Sequence, residues 1–67
     1  MKNTRLVKLR ADRTQGEIAR ALGCATSTYA MIETGRRFPR RGLQARLAEL
    51  HGVTVDYLFF QQKYHES

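Results

Sequence analysis

Two predicted helices separated by only three residues constrain the fold of this chain more than any other sequence feature. The first begins after Thr14, because Glu17 follows three positions later and completes the capping-box pattern of a helix N-terminus. Apolar residues then recur at helical spacing, and Gly23 suits the left-handed backbone that ends a helix. These apolar residues are Ile18, Ala19 and Leu22.

The next helix follows almost at once, after residues 23–25. Ala25 stands at its predicted start and Gly35 just after its predicted end. Tyr29 and Ile32 form its predicted inward face. So short a connection forces the two helices to cross at a steep angle, which is the geometry of a helix-turn-helix.

Most of the remaining chain is also predicted to be helical. A first helix is expected over Thr4–Asp12, with Leu6 and Leu9 on its apolar side. A fourth helix is expected between Pro39 and Gly52. Its predicted inward side chains are Leu43, Leu47, Ala48 and Leu50.

The carboxy-terminal segment is rich in aromatic residues. Thr54 is predicted to cap a last short helix that buries Val55 and Leu58. Four of the six aromatic residues fall in the last eleven positions, and so small a core cannot bury them all. They are Tyr57, Phe59, Phe60 and Tyr64. Leu58, Phe60 and Tyr64 share one parity, and Phe59 shares the other with two polar residues, Gln61 and Lys63. This alternation favours an extended strand, with a continued helix as the alternative. Such a segment favours a homodimer unless it folds back on its own domain.

Composition places the chain among basic, single-domain proteins. Its 67 residues include twelve Lys or Arg and six Asp or Glu, which gives a net charge of +6. Four arginines stand within six consecutive positions, and such a cluster is attracted to the phosphates of a nucleic acid. They are Arg36, Arg37, Arg40 and Arg41. The alternative is a solvated loop whose charge only aids solubility.

Several other classes of function are disfavoured. With a single cysteine and no apolar run long enough for a membrane span or a secretory signal, a cytoplasmic protein is expected. Cys24, His51 and His65 lie apart in the sequence, so no metal site, cofactor or enzyme activity is predicted. Cys24 is expected to be a packed thiol, and His51 a cation at the end of the fourth helix.

Four motifs in register resemble the phage repressor/Cro (Xre-type) helix-turn-helix DNA-binding family. They are Thr-Gln-Gly-Glu-Ile-Ala at 14–19, Leu-Gly at 22–23, Ile-Glu-Thr-Gly at 32–35 and Gly-Val-Thr-Val-Asp at 52–56. The resemblance covers roughly residues 4–60 and implies an all-α, five-helix lambda-repressor-like domain within 1–60. The remaining residues, 61–67, would be a tail that could form a short dimerisation strand.

The resemblance also implies how the chain binds DNA. The third helix would lie in the major groove, where its outward residues contact base edges. These residues are Thr26, Ser27, Ala30 and Met31. Gln15 and Thr28 would contact phosphates, as would the four clustered arginines. Because Ala25 stands where the family usually has a capping Ser, Thr26 is an alternative cap for this helix.

Two further roles follow from the resemblance. Glu33 would turn inward and form an ion pair with Arg10, which orients the first helix against the third. The last residues would form a homodimer interface and place two recognition helices about 34 Å apart. The residues predicted for this interface are Leu58, Phe59, Phe60 and Tyr64.

The sequence therefore predicts a transcriptional regulator that binds double-stranded DNA, acting as a dimeric repressor on a near-palindromic operator. No membrane partner and no small-molecule ligand are expected. The alternative is an antitoxin-like or phage-encoded adaptor, whose main target is another protein and whose DNA binding is secondary.

Overall fold

The computed structural model describes residues 2–60, which form five α-helices. The helices are α1 (Thr4–Arg10), α2 (Gln15–Leu22), α3 (Thr26–Thr34), α4 (Arg41–His51) and α5 (Val55–Phe59). The all-α prediction is confirmed, because residues 2–60 contain no strand. No helix in this range is long and apolar enough to cross a bilayer. The predicted tail at 61–67 lies outside the described residues.

α2 and α3 form the predicted helix-turn-helix. The Thr14 hydroxyl accepts a hydrogen bond from the Glu17 backbone N–H at 3.0 Å, and the Glu17 carboxylate accepts one from the Thr14 N–H at 2.9 Å. The predicted capping box is therefore complete. α2 ends at Gly23, whose φ of 76° would strain a residue with a Cβ atom. Only residues 23–25 separate the two helices, and α3 ends at Thr34, just before Gly35, as predicted.

α1 is shorter than predicted, since it ends at Arg10 instead of Asp12. Ala11 leaves the helix with a φ of 57°, and it is the one non-glycine residue with a positive φ among those described. The Arg13 guanidinium donates to the carbonyl oxygens of Leu9 and Arg10 at 3.1 and 3.3 Å, which satisfies the helix end. The early exit follows from the connection, because only residues 11–14 join α1 to α2.

The apolar sides of the five helices meet in one core. Tyr29 and Ile32 are buried there, which confirms the predicted inward face of α3. The buried apolar residues are Leu6, Ile18, Ala19, Leu22, Tyr29, Ile32, Leu47, Ala48 and Leu58. Because the inward face of α3 is fixed in this core, helical geometry leaves its opposite face at the surface.

The buried side of α4 differs in part from the prediction. Leu47 and Ala48 are buried as expected, but Leu50 is 37% exposed. Gln44, which was not predicted to face inward, is buried, and its side-chain amide donates to the Pro39 carbonyl oxygen at 2.8 Å. The apolar pattern could not reveal this, since a glutamine is buried only where its amide finds a partner.

α5 is capped as predicted, because the Thr54 hydroxyl accepts a hydrogen bond from the Tyr57 N–H at 3.0 Å. The chain stays helical as far as Phe59, so the strand expected to include Leu58 is not formed in the described residues. Leu58 is completely buried in the core of its own chain. Its predicted role in a dimer interface is therefore corrected, because its side chain does not reach the surface.

Candidate nucleic-acid interface

The exposed face of α3 presents the four residues predicted to contact bases. Thr26 and Ser27 are exposed, and Ala30 and Met31 are half-buried. The N-cap of α3 is Ala25, which offers no side-chain hydrogen bond. Thr26 is the first helical residue, so the alternative in which it caps the helix is wrong. The face offers hydroxyl groups, methyl groups and a thioether, which suit single hydrogen bonds and contacts with thymine methyl groups.

The arginine loop, defined as residues 35–41 and so including the first residue of α4, folds back on the last turn of α3. The Met31 carbonyl oxygen accepts hydrogen bonds from the backbone N–H groups of Arg36 and Arg37, at 2.9 and 3.2 Å. Further along, Pro39 is buried and held by the amide of Gln44. The backbone is thus anchored at two points while four arginine side chains remain exposed. They are Arg36, Arg37, Arg40 and Arg41.

Glu33 lies on the inner side of α3, where its carboxylate joins three helices. Arg10 Nε lies 2.6 Å from Oε2, and Arg10 Nη2 lies 3.2 Å from Oε1. Gln15 Nε2 donates to Oε1 at 2.9 Å. Arg10 also donates to the Arg13 carbonyl oxygen at 2.9 Å, which ties the connection between α1 and α2 to the same group. The ion pair implied by the resemblance is thus present in the structure.

The protonation state of this cluster is set by opposing effects. Burial raises the pKa of the Glu33 carboxyl, but the hydrogen bonds from Arg10 and Gln15 outweigh it and bring that pKa below its usual range. The hydrogen bond to Glu33 in turn raises the pKa of the Arg10 guanidinium. Burial, and then the nearby Glu33 carboxylate, raise the pKa of Tyr29. At neutral pH the ion pair is therefore charged and Tyr29 is a neutral phenol.

Gln15 has an internal partner that its sequence position did not reveal. Its amide uses one N–H in the hydrogen bond to Glu33. A glutamine amide has two N–H donors and a carbonyl oxygen, so capacity for an external contact remains at the start of α2. The side chain is half-buried, which leaves part of it accessible beside the exposed face of α3.

A groove of about 560 Å³ lies between α3, the arginine loop and α4. Its polar lining includes Thr28, Arg37, Arg40 and Arg46. The Arg46 guanidinium reaches from α4 to the end of α2, where Nη1 donates to the Leu22 carbonyl oxygen at 2.9 Å. The sequence did not single out Arg46, because it stands apart from the arginine cluster and only the packing of α4 brings it there.

Phe38 is a second residue that the sequence pattern did not single out. It is 60% exposed, although its ring packs edge-on against Phe59 and Phe60 at centroid distances of 5.5 and 5.8 Å. We call these three residues the aromatic cluster. They join the arginine loop to the end of α5, and two of them, Phe59 and Phe60, are predicted dimer residues. Tyr64, the last of those predicted residues, lies outside the described part of the chain.

The described residues include one cysteine, Cys24, and one histidine, His51. Among residues 2–60, no three His, Cys, Asp or Glu side chains are grouped as a metal site requires. Cys24 is a free, half-buried thiol against the core, as predicted. His51 ends α4, but burial, and then the charge of Arg13, lower the pKa of its imidazole. Its expected role as a cation is therefore wrong, since the neutral form prevails at neutral pH.

Comparison with known protein families agrees with this architecture. Residues 5–58 match the family model of a helix-turn-helix domain, so the match covers nearly all of α1 to α5 and well over half of the chain. No curated protein and no solved structure gives a significant match.

Proposed function

This chain belongs to the helix-turn-helix domain family, and from that premise we propose that it is a sequence-specific transcriptional regulator of the phage repressor/Cro (Xre) type. The observation that carries the proposal is the position of the arginine loop directly beside the exposed, uncharged face of α3. An uncharged helix face with cations next to it suits a duplex, because the helix enters the major groove while the cations meet phosphates. The net charge of +6 favours association with a polyanion.

The two parts of this surface have different roles in the proposal. On α3, the hydroxyl groups of Thr26 and Ser27 form single hydrogen bonds with bases, and Ala30 and Met31 contact thymine methyl groups. The arginines of the loop contact phosphates and position the protein without reading sequence. Gln15 and Thr28 also contact phosphates, at the start of α2 and on the flank of α3.

We further propose a two-fold homodimer formed through the aromatic cluster and Tyr64. The exposed fractions of Phe38 and Phe60 are 60% and 43%, and the two rings are in contact, so they form an exposed apolar patch of the kind that marks a protein–protein interface. A two-fold axis repeats α3 on the partner subunit, so a spacing of about 34 Å would match one turn of duplex. Such a dimer acts in the cytoplasm by covering a near-palindromic operator and blocking polymerase.

A salt titration with a mixed-sequence duplex tests DNA binding. The logarithm of the affinity should fall linearly with the logarithm of the salt concentration, with a slope of about −0.9 for each phosphate contacted. In-vitro selection of bound duplexes should then return a near-palindrome if the binding unit is a dimer. Failure to bind any duplex at low salt would contradict the proposal.

Two substitutions test the proposed phosphate contacts and the proposed base contacts separately. Arg37→Ala should weaken binding to all duplexes alike and reduce the salt slope by about one phosphate. Met31→Ala should change the base preference at one position of the selected site and leave binding to mixed duplex nearly unchanged. Equal effects of the two substitutions on selected and mixed DNA would refute this division of roles.

The aromatic cluster also favours a second candidate function, an antitoxin-like or phage-encoded adaptor that binds another protein. Phe38 and Phe60 would provide the apolar contact, and DNA binding would be secondary. High salt distinguishes the two functions, because apolar contacts persist while phosphate contacts are screened. An adaptor would retain its protein partner at a salt concentration that releases DNA, and it would bind mixed duplex weakly at all concentrations.

A further inference from the structure

The groove between α3, the arginine loop and α4 is a basic site whose α4 side, with Arg46, has no role in the contacts proposed above. Arg37 and Arg40 line it from the arginine loop and Arg46 lines it from α4, and none of its lining residues is acidic. Resting on the proposed function, we propose that this groove seats a backbone phosphate of the bound duplex. Arg46 is then a phosphate contact in addition to the four clustered arginines.

The position of the groove on α3 supports this assignment. Thr28, which lines the groove, lies on the helix between Met31 on the exposed face and Ile32 on the buried face. When a helix lies in the major groove, the sugar–phosphate strands run along its flanks. The strand on the Thr28 side of α3 would therefore pass the mouth of the groove.

Arg46 is held in place before any ligand binds. One of its nitrogens, Nη1, donates to the Leu22 carbonyl oxygen at the end of α2, and the side chain is otherwise exposed. A guanidinium has five N–H donors, so this bond leaves several for a phosphate oxygen. An anchored guanidinium loses little rotational freedom on binding, which favours a defined contact.

The start of α4 adds a second attraction for an anion. α4 has 11 residues, and its N-cap, Arg40, makes no side-chain hydrogen bond to the first turn. The first N–H groups of the helix thus have no capping side chain, and the helix dipole favours negative charge there. Gly42 in this first turn lines the groove, and a Cβ atom placed on it would meet nothing within 4 Å. A phosphate can therefore approach the backbone closely.

A matched pair of arginine substitutions tests the contribution of Arg46. The probe is a mixed-sequence duplex of about 20 base pairs, two turns of the helix, titrated with salt. Arg46→Met should reduce the salt slope by about 0.9, the value for one phosphate contact. Arg20→Met removes the same charge from α2, where the side chain is exposed and does not line the groove, and should change the slope much less. Arg46→Lys should restore most of the slope.

A second pair of variants keeps the fold intact. Gly42→Glu places a carboxylate in the first turn of α4, where it should raise the melting temperature through the helix dipole. The same carboxylate at the groove should weaken duplex binding by roughly tenfold or more compared with Gly42→Gln, through like-charge repulsion. Stability and binding would then change in opposite directions, which a loss of folding does not produce.

The outcomes separate this inference from the proposed function. Equal salt slopes for Arg46→Met and Arg20→Met, or equal affinities for Gly42→Glu and Gly42→Gln, would overturn the phosphate site. If the unmodified chain still binds duplex with a steep salt dependence in that case, the proposed function stands. Only the absence of salt-dependent duplex binding by the unmodified chain overturns both.

Discussion

At the scale of single residues, Glu33 supports the proposed DNA surface from the inner side of α3. A carboxylate on the outer side of α3 would repel phosphates, but this one points inward and is buried. Arg10 and Gln15 satisfy its two oxygens, so α1 and the start of α2 are held against α3. Glu33 thus supports the basic surface, because its negative charge lies on the buried side of α3, away from the exposed face.

We predict that Glu33→Gln destabilises the fold by about 2–3 kcal/mol, since Arg10 loses its charged partner in a partly buried site. Urea denaturation measures this change in the free energy of unfolding. The control is Glu49→Gln on the exposed side of α4, which should cost less than about 0.5 kcal/mol. Equal losses for the two variants would show that the carboxylate does not link the helices.

His51 provides a prediction about pH. Its pKa in the folded protein lies below the ordinary value, so the unfolded chain binds the proton more readily. The folded state should therefore lose stability as the pH falls through about 6.5, the ordinary pKa of histidine. His51→Gln should remove this loss between about pH 7.5 and about pH 5.5, as measured by melting temperatures. An identical pH dependence in both proteins would contradict it.

Among the helices, α3 is well packed in the core, but its N-terminus has no side-chain cap. α2 has a complete capping box, whereas Ala25 gives α3 no side-chain cap. The position of α3 depends instead on its buried residues, Tyr29, Ile32 and Glu33. The uncapped N–H groups lie next to the residues proposed to contact bases, where a helix N-terminus can also meet a phosphate.

We predict that Ala25→Ser stabilises the protein by about 0.5–1 kcal/mol, because serine is a preferred N-cap that bonds to the free N–H groups of the first turn. Thermal unfolding detects the change as a rise in melting temperature. Ala45→Ser, the same substitution on an exposed interior position of α4, should be neutral or slightly destabilising. A fall in melting temperature for Ala25→Ser would indicate that the start of α3 is already satisfied.

In the whole molecule, contacts between distant segments tie both ends of the described chain to the helix-turn-helix. The Asn3 backbone N–H donates to the Glu33 carbonyl oxygen at 2.7 Å, and its side-chain amide donates to the Leu58 carbonyl oxygen at 3.1 Å. Arg5 lies over the Tyr57 ring at 3.9 Å. The aromatic cluster makes a further link, so the proposed dimer surface adjoins the arginine loop.

We predict that Phe60→Glu abolishes the homodimer, because it places a charge within the exposed aromatic surface. Sedimentation analysis should show a monomer, and affinity for a selected near-palindrome should fall by roughly tenfold or more as one half-site is lost. Leu50→Glu adds the same charge at an exposed apolar residue on α4, outside the aromatic cluster, and should leave the dimer intact. A dimer that survives Phe60→Glu would refute this interface.

Local sequence patterns were sufficient to predict the helices around the turn and the inward face of α3. The signals are local: Thr14 and Glu17 lie within one turn of each other, and Gly23 ends a helix through its own backbone. Helical periodicity alone predicted that Tyr29 and Ile32 face inward, although it does not indicate which residues they contact.

The contacts between distant side chains depend on how the helices pack, and they could not be predicted from local patterns. Arg46 is ordinary in sequence, and it joins a basic groove because α4 packs beside the end of α2. Phe38 contacts the end of α5, and Gln44 is buried because the Pro39 carbonyl oxygen lies within reach. The lowered pKa of His51 likewise depends on burial and on a charge from another segment. Such properties arise from contacts between residues far apart in the chain, which no local pattern records.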